Sequence, residues 1–138
     1  MEAFAAYGHA IVAMAGLAFL TLLLSPLTAV RKTAAGLAPG AQPDASYASP
    51  IYRLHRAHGN LTEATGSFAL VTVAAILAGA SPLWVNWLAS LYLVSRVVLA
   101  VVHVAGLGRP DMSLRSVVYV FGWVISMVLA VMAIVAAF

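Results

Sequence analysis

The sequence predicts an all-α membrane protein, a four-transmembrane-helix bundle with both termini on the non-cytoplasmic side. Three observations predict it. Hydrophobic residues make up 64% of the 138 residues and charged residues only 8%, against roughly half and a quarter in soluble domains. So few charges cannot cover a water-facing surface. Four apolar stretches of about 20–25 residues nearly exhaust the chain, which gives one domain over residues 1–138 and leaves little for any soluble module. Finally, Arg31, Lys32, Arg53, Arg56, Arg109 and Arg115 cluster around the first and third connections. The positive-inside rule puts those connections in the cytoplasm.

Taken in order, the first span runs from about Tyr7 to Val30 and is closed by Arg31 and Lys32. Its start carries Glu2 in place of a basic region, and its apolar run is too long for a cleavable signal, so it reads as a retained span. Gly8, Ala13, Ala15, Gly16 and Ala18 permit close helix packing. Residues 33–50, with Gly36, Pro39, Gly40, Pro43 and Pro50, lack periodicity and form a loop. The second span starts near Ile51 and ends before Ser81-Pro82, a short uncharged connection. The third runs from about Leu83 to Leu107, with Trp84 and Trp87 as interfacial aromatics. Gly106–Asp111 is turn-rich, and the fourth span fills the rest from about Ser113. Cysteine is absent, so disulfides, thiolate metal sites and cysteine nucleophiles are excluded. The net charge of +3 does not imply nucleic acid, because the basic residues sit at span ends or within spans and form no patch.

The head of the second span carries the chemistry. Each helical residue advances about 100°. With Arg53 at zero, Arg56 falls near 300°, Asn60 near 340° and Glu63 near 280°, so all four share one side. His55, His58 and Thr62 point elsewhere. Ionisable groups inside a membrane are functional candidates by default, and this stripe suits a polar ligand of several charges. Tyr92, Arg96, Ala100 and His103 share a face of the third span; Arg115, Tyr119, Gly122 and Ser126 share one on the fourth. Thr21, Ser25, Thr28 and Lys32 do so on the first. Arg96 lies about 15 Å from the loop end of its helix and needs a partner. Glu63 is the acidic residue at comparable depth, so an interhelical Glu63–Arg96 pair is expected. The faces of His55, His58 and His103 diverge, so no metal site is expected.

The run Arg53-x-x-Arg56-Ala-His58-x-Asn60-x-x-Glu63 resembles the signature of the MAPEG family, the membrane-associated proteins in eicosanoid and glutathione metabolism. So do Arg96 seven residues before His103 and the run Arg115-Ser116-Val-Val-Tyr119. The resemblance covers almost the whole chain. It implies a homotrimer of four-helix bundles that binds glutathione as co-substrate between neighbouring subunits, near the cytoplasmic face. It further implies a transferase or peroxidase acting on a lipophilic small molecule that arrives from the bilayer. By position, Arg56, Asn60 and Glu63 match residues that hold the tripeptide. Arg115 matches the arginine near the sulfur, Ser116 and Tyr119 its neighbours, and Arg31 or Lys32 the basic end of the first span. Gly59, Gly66, Ser67, Leu99 and His103 depart from the side chains that several active members carry there. The Ala/Val/Gly-rich composition suits a bacterial inner-membrane member.

The chemistry of the residues runs parallel to the resemblance. Arg53, Arg56 and Lys32 suit carboxylates, and Glu63 suits an ammonium unless Arg96 takes it. Arg96 and His103 complete the expected binding set. A cation beside a thiol lowers its pKa from about 8.5, a role that falls to Arg115, with Tyr119 or Ser116 donating to the thiolate. Two other readings stay open at this stage: a small proton-coupled transporter using Glu63, and a catalytically silent lipid-binding or scaffold protein with the same frame.

Overall fold

The computed structural model describes residues 2–108 and 113–138. Arg109 and the end of the third connection, with Asp111, lie outside the described residues. A short α1 (Glu2–Ala5) precedes four long helices: α2 (Gly8–Ala34), α3 (Pro50–Leu77), α4 (Pro82–Ala105) and α5 (Leu114–Ala136). All four are long and apolar enough to cross a membrane. The shortest has 23 residues, which at about 1.5 Å per residue exceeds a hydrocarbon layer of about 30 Å.

Local chemistry sets the helix ends. Ser49 caps α3 by accepting from the Tyr52 N–H, and Pro50 occupies the first turn, where a missing N–H costs nothing. Pro82 opens α4 in the same way. At its far end Gly106 takes φ +68°, and the N–H of Leu107 turns back to Val102. Only glycine enters that left-handed region cheaply. α2 continues through Pro26 and past Val30, so Arg31 and Lys32 lie in its last turn.

α3 and α4 form the central pair. Each packs against the other three long helices, with α2 and α5 on its flanks. Leu17, Leu61, Phe68, Val85 and Leu129 are fully buried between the helices, and Ala10, Ala13, Ala75 and Ala89 let the backbones approach. Large apolar side chains such as Phe19, Leu22, Leu70, Val117 and Val135 are exposed on the outside, as a lipid-facing surface requires.

The antiparallel order leaves both termini at one end and the first and third connections at the other. Polar contacts close the terminal end. The Tyr7 hydroxyl donates to Ala80 O at 2.6 Å. The Asn86 side chain donates to Ala6 O at 2.7 Å and accepts from the Ala10 N–H at 2.9 Å. Asn86 thereby satisfies two backbone groups at the start of α2, where helix N–H groups lack intrahelical partners. Asn86→Ala is expected to destabilise the bundle by about 1–3 kcal/mol. The measurement is the apparent melting temperature in detergent, with ligand binding at the opposite end unchanged.

Candidate functional site

The polar faces converge at the connection end. A cavity of about 340 Å³ is lined by Arg56, Asn60 and Glu63 of α3, Leu99 and His103 of α4, Arg115, Ser116, Tyr119 and Val120 of α5, and Tyr47 of the first connection. That volume lies within the range of small-molecule sites, about 300–1,000 Å³. The helical period explains why the α3 side chains meet: residues 56, 60 and 63 are spaced by four and three, so one face carries all three. Asn60 and Arg115 are buried, Arg56 is half-buried, and Glu63 and Tyr119 are exposed at the rim. The cavity thus has buried polar groups at its floor and exposed ones at its rim.

Asn60 ties the floor together. Its amide nitrogen donates to Arg56 O at 2.9 Å and lies 3.2 Å from His103 Nε2. An amide nitrogen only donates, so Nε2 accepts and a neutral ring carries its proton on Nδ1. His103 is buried and its Nδ1 has no hydrogen-bond partner. An unmet donor of that kind at a cavity wall calls for a ligand or a water.

A second, narrower cavity of about 80 Å³ continues deeper, lined by Asn60, Glu63, Ser67, Tyr92, Arg96 and Tyr119 among others. Glu63 and Arg96 thus border the same space, but the expected pair between them is not formed. Arg96 is almost wholly buried and donates to the carbonyls of Tyr119 at 3.0 Å and Val118 at 3.3 Å, and to Ser95 Oγ at 3.3 Å. Its guanidinium also lies 4.9 Å from the Tyr92 ring centroid and 5.5 Å from that of Tyr119. Backbone carbonyls and ring faces offset the desolvation that a carboxylate was expected to offset.

The MAPEG family model matches residues 10–135. The chain belongs to the MAPEG family. With its four apolar helices it is an integral, multi-pass membrane protein. No curated protein and no solved structure matches the chain.

Within this MAPEG frame the remaining site candidates separate. Arg53 projects onto the stripe but not into the cavity; it bonds the loop carbonyls of Tyr47 and Ala48 and the helix-end carbonyl of Val104. Its position in the first turn of α3 puts loop carbonyls nearer than the cavity. Arg31 is exposed and borders an apolar groove with Leu27, Pro50, Ile51, Leu54 and Val104. Lys32 is buried on the α2 side and reaches Pro39 O at 3.4 Å. Neither Arg31 nor Lys32 lines the cavity of its own chain. His58 faces away from the cavity and meets Thr62. Tyr47 and Val120 line the cavity without having been revealed by the sequence, and Tyr47 is the one that lies outside the helices. It sits in a segment without periodicity, where spacing carries no orientation.

Proposed function

We propose that the protein is a glutathione-dependent membrane transferase or peroxidase acting on lipophilic electrophiles at the connection end of the bundle. One observation carries this reading: residues of three helices place two guanidinium groups, an amide, a carboxylate and an unmet imidazole donor around one cavity of suitable size. MAPEG membership is consistent with it. Glutathione has two carboxylates, an ammonium and a thiol. Arg56 takes a carboxylate through charge-assisted hydrogen bonds. Glu63, with no ion pair among the described residues, takes the ammonium. Asn60 and His103 add polar contacts. Arg115 stands beside the sulfur and favours the thiolate over the thiol. Ser116 and Tyr119 donate hydrogen bonds to it.

The thiol proton passes to water. In a transfer the thiolate then bonds an electrophilic carbon, and the displaced electron pair leaves with the departing group. The exposed rim at Tyr119 and Val120 lets a lipophilic partner enter from the bilayer. Among the described residues the cavity is lined by two cations, Arg56 and Arg115, one short of two carboxylates and a thiolate. Arg31 and Lys32 lie on another side of the bundle. A homotrimer that sets the α2 side of one chain against the cavity of the next supplies the missing cation.

Calorimetric titration of glutathione into the detergent-solubilised protein, with the ultraviolet thiolate band followed in parallel, tests the proposal. Saturable binding with growth of the band is expected. Arg56→Ala is expected to weaken binding by roughly ten- to a hundredfold, the loss of one charged hydrogen bond. Absence of glutathione binding would sink the reading.

A further inference from the structure

The apolar groove beside Arg31 joins a hydrocarbon surface to a lone cation. It encloses about 280 Å³ between Leu27 and Arg31 of α2, Pro50, Ile51 and Leu54 of α3, and Val104 of α4. Five of these six side chains are apolar. Leu54 is buried, whereas Leu27 and Val104 are 42% and 45% exposed, so the groove opens outward to lipid. Leu27 precedes Arg31 by four residues and lies one turn deeper on the same side of α2, about 6 Å along the axis. Arg31 is exposed in the last turn of this membrane-spanning helix. Among the described residues it makes no hydrogen bond and no ion pair. Its surroundings add positive charge and remove none. Lys32 follows directly, and Pro50 and Ile51 form the first turn of α3, the positive end of that helix dipole.

We propose that this groove holds one anionic phospholipid, with its phosphate on Arg31 and a stretch of acyl chain along Leu27, Ile51, Leu54 and Val104. The inference is independent of the proposed function, which draws one cation from the α2 side and has Lys32 for it. Charge complementarity selects the head. A guanidinium is weakly hydrated and forks onto phosphate oxygens. The positive-inside rule puts this end of the bundle at the cytoplasmic leaflet, where anionic lipids concentrate. The walls select the tail. Aliphatic side chains gain nothing from a free anion, whereas a hydrocarbon chain gives them the dispersion contacts that an empty groove would forfeit. The volume falls just below that of whole small-molecule sites, about 300–1,000 Å³, which suits part of one chain with the head left outside. The walls come from three helices, so the lipid lies across their seam. Arg53 crosses the same seam, donating from α3 to Val104 O of α4 at 3.3 Å. A bound lipid therefore braces the connection end of the bundle.

The experiment equilibrates delipidated protein in detergent with dioleoyl phosphatidylglycerol or with dioleoyl phosphatidylcholine, which has the same chains and no net charge. Native mass spectrometry counts the lipid retained. The unsubstituted protein is expected to hold its first phosphatidylglycerol at least about fivefold more tightly than phosphatidylcholine, the preference that one arginine at an anionic head confers. Arg31→Gln is expected to lose that preference, and Arg31→Lys to keep most of it. Leu27→Trp fills the groove and leaves the cation, and it is expected to weaken both lipids several-fold. Glycerol 3-phosphate, the head without chains, is not expected to displace the lipid. Phosphatidylglycerol is also expected to raise the apparent melting temperature of the unsubstituted protein more than that of Arg31→Gln. Equal retention of the two lipids by the unsubstituted protein, or a preference that survives Arg31→Gln, would overturn the inference. Displacement by glycerol 3-phosphate would overturn it in favour of a free anion. Lipid binding indifferent to Leu27→Trp would leave the groove without a role. An oligomer that retains no lipid would mean that a second copy of the chain covers the groove instead.

Discussion

Arg115→Ala is expected to lower turnover with glutathione by at least about a hundredfold while leaving assembly intact. The magnitude follows from what the guanidinium does in the proposed reaction. A preorganised cation or donor beside a developing or resident anion contributes about 10²–10³ in kcat when removed, and a thiol without a neighbouring cation returns towards its ordinary pKa of about 8.5. The prediction separates chemistry from binding, because Arg56, Asn60 and Glu63 lie on α3 and are untouched. Glutathione affinity is therefore expected to change only a few-fold, and the thiolate band to disappear from the bound tripeptide. Arg115→Lys keeps the charge but loses the planar edge and the face that Tyr47 covers; intermediate activity is expected. Full turnover in Arg115→Ala, measured by stopped assays with an aryl halide as electrophile, would end the assignment of Arg115 to the sulfur.

How far the sequence went can be read from single residues. Composition and span length were enough for the membrane bundle, because neither depends on tertiary contact. The convergence of Arg56, Asn60 and Glu63 followed from helical period alone, and the structure places all three at one cavity. Arg115 and Tyr119 came with them by the same logic on α5, whereas Ser116 came from the family resemblance. Arg53 shows where period stops being informative. It shares the projected side, but the first turn of a helix lies among loop carbonyls, which no helical wheel displays. Tyr47 marks the complementary gap. Its loop has no period, and its place over Arg115 depends on the Arg53 bonds and on the left-handed turn at Gly106. The expected Glu63–Arg96 pair failed for a third reason. Matching opposite charges by depth ignores neutral partners, and Arg96 bonds the α5 carbonyls of Val118 and Tyr119 instead of Glu63.

That last point rests on a missing side chain, and it yields the largest expected effect on stability. Arg96 crosses from α4 to α5 over Gly122, where an added Cβ would collide with the guanidinium and with Ser95 Oγ. The residue needs no special backbone angle there; it needs an absence of atoms. Gly122→Ala improves intrinsic helix propensity by up to about 1 kcal/mol, so propensity alone predicts a stabilised protein. The contact predicts the reverse. The guanidinium must leave the Val118 and Tyr119 carbonyls, and a buried cation without its acceptors costs several kcal/mol, in addition to about 1–3 kcal/mol of overpacking. Gly122→Ala is therefore expected to destabilise by at least about 2 kcal/mol net, read as a fall in the apparent melting temperature of the detergent-solubilised protein. The double variant Gly122→Ala with Arg96→Met decides the cause. Removing the charged head that the Cβ strikes should recover most of the loss, a coupling that residues not in contact would not show. An unchanged or raised melting temperature in Gly122→Ala, or no recovery in the double variant, would mean that Arg96 is not held to α5 through the notch at Gly122.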